Sequence, residues 1–213
     1  MKKYTVQSNE EIAPDAYVLS FIRDFEFIPG QVVELTTNAD IPPRMYSICS
    51  SDKEKMIKIL YKVKSEGLLT PNLAQLSKGN KIYVSEPSGS FHCTENPAVW
   101  IATGTGIAPF ISMTLSENHS NKFLIQGARN EEHLYFPDFL KSCFGNSYVK
   151  CCSKANSSDI FQGRLTQYLS QASNLSKDQK YYLCGSAEMV VDVRDILILK
   201  GISYSNIISE IYF

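Results

Sequence analysis

Two short clusters about sixty residues apart carry the residue types that could do chemistry here. Arg44-Met45-Tyr46-Ser47 sets a cation, an aromatic plane and a hydroxyl on one short stretch. A guanidinium can pair with phosphate through a two-pronged hydrogen bond, a tyrosine ring can stack on a planar ligand, and a serine can reach a ring nitrogen. Thr103-Gly104-Thr105-Gly106-Ile107-Ala108-Pro109 follows the apolar run Val99–Ala102 and is small enough for backbone N–H groups to approach a second nucleotide. In this order the pair would suit a protein that holds two nucleotides. Taken singly, each has a plainer reading. The first is also an ordinary edge strand with an exposed arginine, the second a tight strand-to-helix turn that needs glycine for packing.

Other segments could contribute. Gly67-Leu68-Leu69-Thr70-Pro71 offers successive backbone N–H groups ahead of a helix that Thr70 would cap, an arrangement that suits an anion. A plain loop–helix junction has the same residues. Cys184-Gly185 closes an apolar run and would set a thiol at the carboxyl edge of a sheet, where open α/β folds bind ligands, or would simply be a buried cysteine. The ending Glu210-Ile211-Tyr212-Phe213 reads as an apolar plug or as a cover for a planar ligand. The second cluster lacks the third glycine of G-x-G-x-x-G, with Pro109 in its place, which disfavours an ordinary Rossmann dehydrogenase.

The elements that must position these residues divide the chain in two. Short β-rich runs fill the first part: Tyr4–Val6, Ala16–Ile22, Gln31–Leu35, Met56–Val63 and Lys81–Val84. Pro29-Gly30, Pro42-Pro43, Gly79-Asn80 and Pro87-Ser88-Gly89 punctuate them, predicting a small antiparallel barrel with one helix near Asn72–Leu76. Within a strand, Arg44 and Tyr46 would face one side and Met45 and Ser47 the other, so a binder here would need a twist or bulge. Beyond Asn96-Pro97 strands alternate with helices: Lys122–Gly127, Tyr148–Cys152, Tyr181–Gly185 and Ile207–Tyr212 against helices from about Pro109, Leu134–Phe144, Leu165–Ala172 and Ala187–Lys200. That alternation predicts a parallel sheet wrapped by helices. The expected organisation is a six-stranded antiparallel barrel over residues 1–95 and an α/β domain over 96–213.

Bulk properties narrow the class. The 213 residues carry a net charge of −1, with 44% hydrophobic and 20% charged residues, which gives no global attraction to nucleic acid. No apolar run is long enough to span a membrane, and the first residues lack the apolar stretch of a signal peptide. Six scattered cysteines fit a reducing cytoplasm and lack plant-type iron–sulfur spacing, and the side chains of adjacent Cys151 and Cys152 diverge too far for a usual metal pair, so no metal site is expected.

Together these motifs resemble the ferredoxin–NADP+ reductase family in its bacterial form. The R-x-Y-S signature is similar to Arg44–Ser47, the phosphate loop to Gly67–Thr70, and the barrel exit to Glu86-Pro87-Ser88-Gly89-Ser90-Phe91. On the nicotinamide side the resemblance rests on Ala102–Phe110, Gly127-Ala128-Arg129 and Leu183-Cys184-Gly185-Ser186. The ending is like the family's E-x-Y with one residue more.

The resemblance implies FAD and NADP(H) as cofactors and a ferredoxin or flavodoxin as electron partner, in a cytoplasmic monomer. It implies that Arg44 and the loop Gly67, Leu68, Leu69 and Thr70 hold the FAD pyrophosphate. Tyr46 would lie on one face of the isoalloxazine, with Ser47 near its N5 and Tyr61, Lys62 and Val63 lining the flavin, and Met45 would also contact FAD. Thr105 and Tyr212 would also meet the flavin, and Phe213 the adenine. NADP(H) would contact Thr103, Gly104, Gly106, Ile107, Ala108 and Pro109, then Cys184, Gly185 and Met189. Arg129, Ser153, Lys154 and Arg164 would receive its 2′-phosphate. Ser47, Cys184, Glu210 and Tyr212 would be the catalytic set. A flavin or ferric-chelate reductase using free flavin, and an electron-transfer subunit of a larger complex, are the competing readings.

Overall fold

The structure is a computed structural model and describes residues 1–212. By internal contacts the chain divides into two compact units, residues 1–92 with 108–116, and residues 93–107 with 117–213.

The first unit is an antiparallel sheet of six strands: β1 (Lys2–Ala13), β2 (Ala16–Ile22), β3 (Val32–Thr36), β4 (Arg44–Ser47), β5 (Met56–Lys62) and β6 (Lys81–Val84). Their order is β4-β3-β6-β1-β2-β5. The two edge strands meet just past β4, where Ile48 bridges Ile59 and Cys49 N–H donates to Lys58 C=O at 2.8 Å. This contact closes the sheet into the expected barrel and removes its open edges. Leu19, Phe21, Val33, Leu35, Ile57, Ile59, Ile82 and Val84 are fully buried inside it. Each such side chain contributes roughly 1.5–3 kcal/mol of transfer free energy.

β1 is far longer than Tyr4–Val6. Its first residues pair with β6 and the rest with β2, and register shifts between Val6 and Ser8 and between Glu11 and Ala13 bend it from one neighbour to the other. The polar run Gln7–Glu11 hides this strand from a reading based on alternation. β4 departs in the other direction. It pairs with β3 through four consecutive residues without a bulge, because the irregularity expected there sits in the preceding loop. In that loop Thr36 Oγ1 donates to the carbonyls of Asn38 and Ile41, and Asn38 Oδ1 accepts from the N–H groups of Asp40 and Ile41.

Helix α1 (Thr70–Ala74) begins at Leu69, with Thr70 already inside it. Thr70 is therefore not the cap that its residue type suggests. Its Oγ1 instead accepts from Lys64 N–H at 2.9 Å and closes the loop 64–70. Helix α2 (Ala108–Leu115) also belongs to this unit: Ser112 Oγ donates to Ser50 C=O at 2.7 Å, and the Phe110 ring lies 5.7 Å from that of Phe91.

The second unit holds a wholly parallel sheet of β7 (Ala98–Thr103), β8 (Lys122–Ala128), β9 (Tyr148–Cys152), β10 (Phe161–Gln162), β11 (Lys180–Ser186) and β12 (Ile207–Tyr212). The order is β10-β9-β8-β7-β11-β12. Helices α3 (Pro137–Phe144), α4 (Leu165–Gln171) and α5 (Ala187–Leu199) complete it. The two-residue β10 carries no periodic signal and is absent from the sequence expectation. Helix α3 starts three residues later than expected: Pro137 occupies its first turn, and Tyr135 C=O is taken by Gln126 Nε2 at 3.2 Å. None of the described helices is long and apolar enough to cross a membrane.

Buried thiols make this fold sensitive to alkali. Burial pushes Cys49 and Cys151 up to about 12, from about 9 for a free thiol. Above pH 9 the unfolded chain gives up these protons while the folded chain keeps them, so stability falls as pH rises from 9 toward 12. The melting temperature is expected to be level up to pH 8.5 and to drop above it, and the double variant Cys49→Ala, Cys151→Ala to flatten that drop. An unchanged slope in the variant would remove the thiols as its cause.

Candidate functional site

In the barrel, β3 fixes β4 by pairing Leu35 with Arg44 and Val33 with Tyr46. Arg44 is exposed, and no ion pair ties it to any described residue; Met45 is 62% exposed, Tyr46 half-buried and Ser47 buried. The Tyr46 ring stands edge-on to Tyr61 at 6.5 Å, and Tyr61 stacks on Tyr17 at 5.5 Å. Burial pushes the Tyr46 hydroxyl up to about 12 against the opposing charge of Arg44, and raises that of Tyr61 well above its ordinary value. Both therefore remain neutral across the physiological range.

The end of β5 leads into the phosphate-loop candidate. Lys62 is exposed, and Val63 N–H donates to Asp15 C=O at 2.7 Å. Gly67 N–H donates to Lys64 C=O, Leu68 is 71% exposed and Leu69 is buried. The barrel thus presents exposed Arg44, Met45 and Leu68 and a tightened glycine loop. This donor set fits a ligand with a phosphate group and a planar apolar portion, as FAD has. Asn9, absent from the sequence expectation, accepts from the Tyr61 hydroxyl at 2.9 Å and donates to the carbonyls of Leu73 and Leu76 at 2.9 and 3.0 Å. It lies in the polar stretch of β1, where no pattern distinguishes it.

In the second unit the connections from β7 run one way to β8 and later return to β11 on its other side. The carboxyl ends of β7 and β11 therefore flank a switch point, where open α/β sheets bind ligands. Thr103 ends β7, and Gly104–Ile107 forms a single 3₁₀ turn. Gly104 has φ +54° with open space where a Cβ would lie. A Cβ on Gly106 would stand 2.3 Å from Cys184 O, and one on Gly185 would stand 2.4 Å from both Thr103 Oγ1 and Met189 Cε. The glycines thus let the turn and the end of β11 approach to backbone contact. Ile107, Ala108 and Pro109 bury their side chains, so the turn offers a ligand chiefly its backbone, with Thr103 and Thr105 half-buried beside it.

Cys184 is buried and pairs with Glu210 across β11 and β12, its Sγ 3.9 Å from Glu210 Oε2. Burial first, and the Glu210 charge second, push the thiol well above its ordinary value, so it stays protonated and can donate to that carboxylate. Tyr212 ends β12 opposite Ser186. Phe213 lies outside the described residues.

Three cations follow adjacent strands of this sheet. Arg129 follows β8, Lys154 follows β9 after Ser153, and Arg164 follows β10. Their strands are in register, Ala128 beside Cys152 and Cys152 beside Gln162. All three side chains and Ser153 are exposed, and no ion pair joins the cations to described residues. Lys154 N–H donates to Arg129 C=O at 2.9 Å, which holds the first two ends together. Glu131, also missed from sequence, anchors the loop beyond: it accepts from Asn156 N–H and from Ser157 N–H and Oγ, which lowers its pKa. This edge suits a phosphate-bearing nucleotide.

The family comparisons agree with this geometry. Residues 3–93 match the oxidoreductase FAD-binding domain and residues 100–195 the oxidoreductase NAD-binding domain. The chain is 28% identical over 200 residues to the toluate 1,2-dioxygenase electron transfer component of Pseudomonas putida, covering 89% of this chain and 60% of that protein. It is 29% identical over 198 residues to the flavodoxin/ferredoxin–NADP reductase of Buchnera aphidicola, covering 81% of this chain and 79% of that one. It spans 60% and 58% of the length of the toluate and 2-halobenzoate dioxygenase electron transfer components, and 51% and 78% of two dihydroorotate dehydrogenase B electron transfer subunits. In fold it is similar to a ferredoxin NADP+ reductase from Neisseria gonorrhoeae solved with FAD and NADP, at a TM-score of 0.91, 20% identity and coverage of 100% of this chain and 98% of that one. A six-stranded antiparallel barrel, a parallel sheet with glycines at its switch point, and a domain match on each place the chain in the ferredoxin reductase-type family of FAD- and NAD-binding oxidoreductases.

Proposed function

We propose that the protein oxidises NADPH and delivers single electrons to a ferredoxin or flavodoxin through FAD held on residues 1–95, with the nicotinamide nucleotide held on residues 96–213. The observation that carries the choice of NADPH is the run of three unpaired cations, Arg129, Lys154 and Arg164, after adjacent strands. Bound FAD supplies the exchange between a two-electron hydride donor and one-electron acceptors. The protein's part is positioning. Arg44 and the loop Gly67–Thr70 hold the pyrophosphate, and Met45, Tyr46 and residues Tyr61–Val63 shape the surface for the ring. Ser47 donates to a ring nitrogen.

On the nicotinamide side, the backbone from Thr103 to Pro109 receives the nucleotide, with Thr105 also at the flavin and Gly185 and Met189 beside the nucleotide. Cys184 stays a neutral thiol whose proton is directed at Glu210, so neither a thiolate nor a free thiol nucleophile competes there. Tyr212 covers the nicotinamide side and yields to the incoming ring.

Lys at 154 supplies charge without the guanidinium fork, and Arg164 supplies both. The double variant Lys154→Ala, Arg164→Ala is expected to raise the KM for NADPH by about thirtyfold or more, on the scale of two lost charged phosphate contacts. The KM for NADH should change less than threefold. Equal losses would rule out a 2′-phosphate subsite at these residues.

A second reading is favoured by the relatives named electron transfer components, which are much longer than this chain. In it the same chemistry feeds a larger oxidoreductase assembly. Co-purification with a fixed stoichiometric partner would support it, and a monomer active with free ferredoxin or flavodoxin would support the first.

A further inference from the structure

We propose that Asn9 is a positioning residue for FAD, tying the aromatic support under Tyr46 to the helix that follows the Gly67–Thr70 loop; this rests on the FAD site proposed above. A primary amide offers one accepting oxygen and two donating N–H bonds, and Asn9 uses all three. Its Oδ1 takes the Tyr61 hydroxyl at 2.9 Å, and its Nδ2 donates to Leu73 C=O at 2.9 Å and Leu76 C=O at 3.0 Å.

Both ends of this link need it. Helix α1 has five residues, too few to hold its shape alone, so its place depends on tertiary anchors. Leu73 C=O, at its C-terminal end, also accepts from Leu76 N–H at 3.0 Å, and Asn9 ties this carbonyl and that of Leu76, just past the helix, to β1. The same helix begins where the Gly67–Thr70 loop ends. At the other end, Tyr61 is almost wholly buried, stacks on Tyr17 and meets Tyr46 edge-on. Burial keeps its hydroxyl neutral and therefore a donor, and Asn9 is its partner. One side chain on β1 thus sets the separation between the ring support and the phosphate loop, the two features that one FAD molecule must reach at once.

The test is a double-mutant cycle read as the FAD dissociation constant, with the absorption band shape of bound flavin as a second readout. Asn9→Ala is expected to weaken FAD by about tenfold or more, on the scale of three lost hydrogen bonds. Tyr61→Phe keeps the ring and removes one bond, and should weaken it about threefold. The double variant should lose no more than Asn9→Ala alone, since Asn9→Ala has already removed the Tyr61 arm. Asn9→Asp keeps the acceptor for Tyr61 and loses both donors to α1, so it should fall between wild type and Asn9→Ala.

Full additivity of the two losses would overturn the inference. So would an Asn9→Ala protein with wild-type FAD affinity and spectrum, even if its FAD-free form melts earlier. A wild-type protein that binds no FAD would instead remove the site reading itself.

Discussion

Replacing Arg44 with alanine is expected to weaken FAD binding by about a hundredfold while leaving the barrel folded. The guanidinium is exposed and no ion pair holds it to a described residue, so its loss leaves no buried partner stranded. The stability cost should stay within the small range of surface substitutions. A charged, two-pronged contact with phosphate is among the stronger single hydrogen-bonded interactions, worth roughly 2–3 kcal/mol, and that magnitude sets the hundredfold. Arg44→Lys keeps the charge and loses the fork, so it should recover only part of the affinity. Ultrafiltration of the loaded protein measures all three. An alanine variant that retains FAD as the wild type does would show that the pyrophosphate is held elsewhere.

The second large effect is expected at Gly106. A single methyl there would stand 2.3 Å from Cys184 O, 2.5 Å from Cys184 C and 2.7 Å from Gly185 N. These are backbone atoms of a central strand and cannot rotate away. The turn after β7 and the end of β11 must then separate, and overpacking of this kind costs about 1–3 kcal/mol. In a chain of this size that lowers the melting temperature by roughly 3–10 °C. Because the displaced backbone is the turn proposed above to receive the nucleotide, Gly106→Ala should lose NADPH reduction by about a hundredfold or more, yet still bind FAD.

Gly104 provides the contrast. Its φ of +54° strains an alanine modestly, but the space around its Cβ position is open, so Gly104→Ala should cost less than tenfold. If the two variants behave alike, close approach of the turn to β11 is not what the glycines provide.

These cases also show which parts of the protein could be read from its residues. The barrel and the parallel sheet were legible because their buried strands are dense in β-branched and aromatic residues, Val99–Ala102 most clearly. β10 was not, since two residues carry no period, and most of β1 was not, since its Gln7–Glu11 stretch is polar. Type and spacing marked Arg44, the glycine turn and Cys184, and the family resemblance supplied roles for them. Asn9 and Glu131 stayed invisible. Each acts through partners far along the chain, Leu73 and Leu76 for Asn9 and Asn156 and Ser157 for Glu131. Thr70 was misread for the converse reason. Its type suits a helix cap, but Lys64 N–H six residues earlier claims its hydroxyl.

If the proposed sites are right, one chain holds FAD tightly and lets reduced nicotinamide nucleotide donate to it. Anaerobic addition of NADPH to protein purified and desalted without added flavin tests this most directly. The protein should be yellow with one FAD per chain, and its visible absorbance should bleach with one equivalent of NADPH, faster than with NADH. Colourless protein that reacts only when free flavin is supplied, or yellow protein that NADPH leaves unchanged, would rule out NADPH oxidation through tightly held FAD.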